Sequence, residues 1–281
     1  MMIRFKHAFN FYINSSIHVA FAVVSFCVLS AYEFELEHTN SFYVAIFCAS
    51  VSGYNFVKYF GFTKFYYRSL TTRLKYIQLL SFLTIMGFVF VFFQLQKSTQ
   101  ILFIVLGLIT FFYAIPMGVK TPNNLRSVGG VKIYIIAVVW ALTTVVLPVL
   151  ESKLVLNMDY WISAVQRIFI VIVLMLPFEI RDLDTDQVYL STLPQKIGIK
   201  NTKIIGYALL IDSILLEFFK HQLNQNNFLT ACFIGVLTAV FLAKSNKHQG
   251  RYYAAFWVEA VPILTVIFAV TLRLVQKTGS F

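Results

Sequence analysis

Four of the twelve acidic residues in this chain fall within eight positions, in Glu179-Ile180-Arg181-Asp182-Leu183-Asp184-Thr185-Asp186. If the helix that leads into them continues, Glu179, Asp182 and Asp186 stand at i, i+3 and i+7 on one face, and Asp184 points elsewhere. Carboxylates this close repel one another unless a cation lies between them. Mg²⁺ suits that role, because it takes hard oxygen ligands, commonly one or two carboxylates completed by phosphates and water. The spacing points to Asp182 and Asp186 as a Mg²⁺ pair facing a phosphorylated substrate. A solvated loop whose acids pair with Arg181 and Lys196 would satisfy the same residues, and spacing alone leaves both readings open.

The elements that must hold such a site are membrane helices. Of the 281 residues, 59% are hydrophobic and 12% charged, whereas soluble domains carry roughly 25% charged residues. Apolar runs fall near 16–32, 42–61, 76–96, 100–119, 131–150, 160–180, 202–219, 228–243 and 253–275. Each approaches the ~20 residues that cross a bilayer. The expectation is an all-α integral membrane protein, one polytopic domain over residues 1–281, with about nine spans. The basic start at Arg4, Lys6 and His7 precedes an apolar run followed by Glu33, Glu35 and Glu37. It reads as a retained first span, not a removed leader.

Lysine and arginine set the expected orientation. With the N-terminus inside, 17 of the 23 basic residues lie on one side, among them Lys58, Arg68, Lys120, Arg126, Arg181 and Lys247. The other 6 are Lys97, Lys153, Arg167, Lys220, Arg273 and Lys277. This places the N-terminus and the acidic cluster in the cytoplasm, in an inner or plasma membrane. The net charge of +11 is then a topology signal, suited to anionic headgroups or phosphorylated substrates and not to nucleic acid.

The residues beyond the cluster continue Tyr189-Leu190-Ser191-Thr192-Leu193-Pro194-Gln195-Lys196-Ile197-Gly198. An Asp-x-x-x-Asp motif followed by Thr-Leu-Pro and then Gly resembles the second aspartate-rich region of UbiA-type intramembrane prenyltransferases. Tyr113-Ala114-Ile115-Pro116, with Lys120 and Arg126 after it, looks like the same family's Tyr-and-basic connection. Trp140 and Pro148 fit more loosely. The resemblance implies a nine-helix bundle in which Asp182 and Asp186 hold Mg²⁺ against the diphosphate of a polyprenyl donor. It also implies Tyr113, Lys120 and Arg126 near the substrate, and an acceptor dissolved in the lipid phase.

One motif departs from the family. Its first aspartate-rich region reads N-D-x-x-D-x-x-x-D, but here the stretch is Asn55-Phe56-Val57-Lys58-Tyr59-Phe60-Gly61-Phe62-Thr63. The asparagine is kept; Phe56, Tyr59 and Thr63 stand where carboxylates are expected, and Lys58 has appeared among them. A diphosphate leaving group needs its charge neutralised by metal ions or by Lys and Arg. Lys58 could supply this directly beside a single Mg²⁺, with Arg68, Lys120 and Arg126 adding charge. Alternatively Lys58 neutralises Asp182 or Asp186, and the protein is a non-catalytic lipid-binding or assembly protein on the same scaffold.

A transporter would instead use intramembrane acids such as Asp212, Glu217 and Glu259, but no paired halves are visible. For Glu259, a pairing with Arg251 or Lys247 is the ordinary expectation. Cys27, Cys48 and Cys232 sit in apolar runs without a CxxC pair and read as buried thiols. The scattered histidines carry no chemistry. Gly129-Gly130 reads as a helix-start turn, and Pro116, Pro148 and Pro177 as kinks or helix ends.

Overall fold

A computed structural model describes residues 2–65, 72–115, 130–184, 191–221 and 223–278. Side chains are described for all of these except 2–5, 60–65, 73, 277 and 278. Arg68, Lys120, Arg126 and Asp186 therefore lie outside the described residues, as does Pro116. The described residues form helices and no strand. In chain order these are α1 (Met2–Asn14), α2 (Ile17–Glu33), α3 (Asn40–Phe65), α4 (Thr72–Phe92), α5 (Lys97–Ala114) and α6 (Lys132–Ala141). A π turn (Leu142–Val146) joins α6 to α7 (Leu147–Glu151), and α8 (Met158–Arg181) follows. Then come α9 (Leu193–Leu215) with a 3₁₀ turn (Leu216–Phe219), α10 (Gln225–Lys244), a second π turn (Tyr253–Val258) and α11 (Val261–Thr278).

Each of the nine apolar runs falls on a helix. Six helices are long and apolar enough to cross a membrane, and a seventh span arises if α1 and α2, bent by 56°, count as one. Helices α3 and α9 do not meet that standard among the described residues, so the count supported by length and apolarity is six or seven, short of nine.

Helix α8 is the axis of the bundle. It packs against α6, α9 and α10, and 67% of its apolar window is buried, against 17% for α4. Ile170, Val173, Leu176 and Ile180 are buried along it, in the i, i+3, i+6 and i+10 pattern of one helix face. Its first turn is capped by the Asn157 side chain, which accepts from the Tyr160 N–H at 3.2 Å, the usual device for an orphaned N-terminal donor. Pro177 cannot donate, and the helix ends one turn later, where the Asp182 N–H bonds to Phe178 O at 3.0 Å. Asp182 is thus the cap of α8, and the acidic cluster does not continue the helix. Asp184 thus lies beyond the helix, and Asp186 falls outside the described residues.

The Thr-Leu-Pro…Gly motif has a local structural role. Thr192 caps α9, its N–H donating to Gln195 Oε1 at 3.0 Å, and Pro194 sits in the first turn, where its missing N–H costs nothing. At Gly198 the chain leaves helical geometry with φ 78° and resumes it, a left-handed conformation open to glycine. Gly130 forms the turn before α6, as expected. Pro148 follows the π turn of α6–α7, where a proline in a continuous α-helix would clash with the carbonyl four residues earlier.

Candidate functional site

The acidic cluster, α1, the C-terminal half of α3 and the start of the last span meet at one end of the bundle. Arg181 grips both oxygens of Asp182, with Nε and an η nitrogen at 2.7 and 2.8 Å, a bidentate fork of the strong kind. Asp184 pairs with Lys247 at 2.7 Å, not with Lys196. Gln249 Nε2 donates to Pro177 O at 2.8 Å, which further ties the α10–α11 connection to the end of α8. Glu179 is buried.

Helix α1 lies across this end. It is separated from α2 by Ser15 and Ser16, the latter at φ 62°. Phe9 packs edge-on against Tyr252 and Phe256, and Tyr252 Oη donates to Asn10 Oδ1 at 2.5 Å. His18 is buried; its Nε2 lies 2.9 Å from Phe256 O and its Nδ1 2.8 Å from Tyr12 Oη. A carbonyl can only accept, so Nε2 carries the proton and Nδ1 accepts from the tyrosine. His18 is structural, in line with the sequence reading.

The degenerate first motif is spread over different surroundings. Lys58 Nζ donates to Asn14 O at 3.2 Å and stands 5.5 Å over the Tyr59 ring, while Tyr59 Oη donates to the same carbonyl at 2.7 Å. Two of the altered positions therefore fasten α3 to the end of α1. Asn55 is buried and donates from Nδ2 to Ser81 Oγ at 2.9 Å, so it faces α4. Phe56 stacks nearly parallel to Phe111, with centroids 6.1 Å apart.

Beside these residues opens a chamber of about 420 Å³ between α2, α3, α4, α5 and α6, lined mainly by apolar side chains that include Phe56, Val57, Phe88, Phe103 and Ile136. Tyr54, Tyr113 and Trp140 stand among them, and the Trp140 indole N–H donates to Tyr54 Oη. Val57 lines the chamber, and the next residue, Lys58, turns to the end of α1. Of the residues singled out in the sequence, the structure brings Lys58, Asp182 and Arg181 to this end of the bundle and Tyr113 to the chamber wall.

Glu259 is the feature that sequence reasoning misplaced. It is paired with neither Arg251 nor Lys247, since Lys247 holds Asp184 and Arg251 stands over the Tyr252 ring at 5.6 Å. It lies instead within electrostatic reach of Lys58 and Arg181. Its position in an apolar span was a usable signal; its neighbours were not readable from spacing.

At the opposite end a second polar cluster is buried. Lys220 bridges Glu33 and Glu217 at 2.7 Å each. Gln166 Nε2 donates to Glu217 Oε2 at 2.9 Å and to Ser213 O at 2.7 Å, and the Ser163 hydroxyl donates to Glu33. Arg167 stacks 4.0 Å over Phe26 and donates to Phe26 O and Ser30 Oγ. Glu217 is thus enclosed while Asp212 is exposed, so the two do not act together as ion-relay residues. Cys27 and Cys48 are buried and Cys232 half-buried, all as free thiols.

Among the described residues no three His, Cys, Asp or Glu side chains converge as a metal site. Asp182 offers hard oxygen atoms of the kind Mg²⁺ takes, and with Asp186 outside the described residues the donor set rests on residue chemistry.

The architecture was compared with known proteins. It superposes on a solved structure, the apo form of a UbiA homolog from Aeropyrum pernix K1, with a TM-score of 0.62 over 92% of this chain and 98% of that one. The chain has a UbiA-type fold. At 13% sequence identity the likeness is one of fold. No family model and no curated protein matches the sequence.

Proposed function

We propose that this protein transfers a polyprenyl group from its diphosphate to an acceptor in the membrane, with the N-terminus and the charged end cytoplasmic. The observation that carries the reading is an apolar chamber, lined in part by Phe56 and Val57 of α3, in the same bundle as Lys58 and the Asp182–Arg181 pair. A polyprenyl chain already dissolved in lipid gains little hydrophobic energy on entering such a chamber, because lipid tails are as apolar as its walls. The chamber therefore selects shape, and affinity must come from the charged end. Lys58 and Arg181 are placed to neutralise the diphosphate as its bond to carbon breaks, joined by Arg68, Lys120 and Arg126 on the connecting segments. Asn55 holds α3 against α4, and Tyr113 lines the chamber. Mg²⁺, held by Asp182 and Asp186, would supply further charge neutralisation.

A second reading is favoured by two observations: Arg181 already satisfies both oxygens of Asp182, and the first motif lacks its carboxylates. A protein built this way could bind an isoprenoid lipid without turning it over. The experiment is diphosphate release from geranylgeranyl diphosphate by the protein in detergent with Mg²⁺, compared with Asp182→Asn/Asp186→Asn. Under the catalytic reading the double variant loses at least about a hundredfold. An equal rate in the two proteins would reject the catalytic role of the aspartates. Stoichiometric binding of the donor with no release by the parent protein would favour the second reading.

A further inference from the structure

The polar cluster at the end opposite Asp182 surrounds a cavity of about 60 Å³. A water molecule needs roughly 10–15 Å³ by this measure, so the space suits about four waters or one small polar group. Three cations line it, Arg167, Lys220 and Arg273, against two carboxylates, Glu33 and Glu217. The lining therefore carries one positive charge in excess. Lys220 meets both carboxylates at 2.7 Å. Neither arginine makes an ion pair with a described residue, and Glu33 acts on Arg167 only at longer range. Asp159, a further carboxylate that feels Lys220, is held by His221 at 3.0 Å and does not line the cavity.

Arg167 is only 4% exposed. Of its five guanidinium N–H groups, one goes to Phe26 O and one to Ser30 Oγ, so three have no acceptor among the described residues. Arg273 donates to Tyr32 O. These bonds fasten both arginines to α2, but carbonyls and a hydroxyl bring no negative charge. Burying a cation without its counter-charge is expensive, and the planar fork of arginine matches the paired oxygens of a phosphate. Glu33 ends α2, and Asn226 and Asn227 lie in the first turn of α10. The cavity thus sits where helices enter and leave the bundle, at the level of lipid headgroups. Leu229 and Leu274, next in the chain to Thr230 and Arg273 of the lining, are exposed, and offer acyl chains an apolar surface beside it.

We propose that this cavity binds one phosphate group of single negative charge, held by Arg167 and Arg273, as the headgroup of an anionic phospholipid or as free phosphate. Lys220 stays with Glu33 and Glu217, and the phosphate balances the charge that the two arginines leave over. The site is separate from the apolar chamber and stands or falls independently of prenyl transfer.

The test uses the full chain in detergent, freed of bound lipid and titrated by calorimetry at fixed ionic strength. The probes are dioctanoylphosphatidylglycerol, dioctanoylglycerol, which lacks the phosphate, and sodium phosphate. The expected result is saturable binding of the phosphatidylglycerol at one site per chain and none of dioctanoylglycerol. Its affinity should fall about tenfold or more in Arg167→Gln and in Arg273→Gln, the scale of a hydrogen bond to a charged group. Arg273→Lys, which keeps the charge, should recover part of the loss. Lys247→Gln, at the other end of the bundle, should bind like the parent, which separates the cavity from general attraction of anionic lipid to basic residues. Sodium phosphate bound with the same dependence on both arginines identifies free phosphate as a sufficient ligand; binding of the phosphatidylglycerol alone identifies the lipid. Should Arg167→Gln not elute as folded protein, the half-buried Arg273 decides through its two variants. The proposal is overturned if the parent binds neither phosphate compound saturably, or if dioctanoylglycerol binds as well as the phosphatidylglycerol. Parent-like affinity in a folded arginine-to-glutamine variant, or an equal loss in Lys247→Gln, also overturns it.

Discussion

At one end of the bundle, Glu33, Glu217 and Lys220 satisfy one another at 2.7 Å, and Gln166, Ser163 and Ser213 take up the remaining bonds. At the other, Lys58 and Arg181 stand within electrostatic reach of Glu259. Both clusters place charges inside a membrane bundle, and the first closes on itself through direct ion pairs. Burying charge is tolerated when the partners and hydrogen bonds are complete, and is expensive when they are not. A closed network is therefore what a structural clamp requires.

Removing one partner should separate the two ends most sharply. Lys220→Met strands Glu33 and Glu217 without their cation, which should cost about 3–5 kcal/mol, seen as a lower Tm and less folded protein on gel filtration in detergent. Adding Glu33→Gln and Glu217→Gln should restore most of it. Parent-like stability of Lys220→Met would remove the clamp from the comparison.

The open end should respond in activity before stability. Gly107 lines the chamber, and a side chain there would meet open space. Gly107→Phe should fold, and should cut transfer from a C20 donor by about tenfold, the scale of hydrophobic-pocket discrimination, while a C10 donor is spared. Equal rates with both donors would mean that the chain does not use this chamber.

The smallest effect is expected where an ion pair at the open end meets solvent. Asp184 and Lys247 retain 64% and 36% of their side-chain exposure, so Asp184→Asn should change stability by less than about 1 kcal/mol, measured by thermal unfolding. A larger loss would show that this end, too, is held by its charges.

The site was partly legible in the sequence. The acidic run marked the end of α8, because Pro177 and a cluster of charges cannot continue an apolar span. Thr192, Pro194 and Gln195 marked the start of α9 through their capping chemistry. Spacing misjudged the partners. It allowed the helix to run on through the acidic residues, whereas α8 ends at Arg181, and it gave Glu259 to residues near it in sequence. Lys220 was counted only as a basic residue on one side, although Glu217 three positions earlier was the signal of an ion pair.

Composition and hydropathy by themselves determined that the chain lives in a membrane as helices, because apolar runs of that length leave the backbone no other way to satisfy its hydrogen bonds. Local chemistry determined where those helices stop. The tertiary structure alone decided that Glu33 meets Lys220 across 187 residues and that Asp184 meets Lys247. It also decided that Glu259 faces Lys58 and not its neighbours along the chain. Such contacts depend on the rotation and crossing of whole helices, which no local spacing encodes.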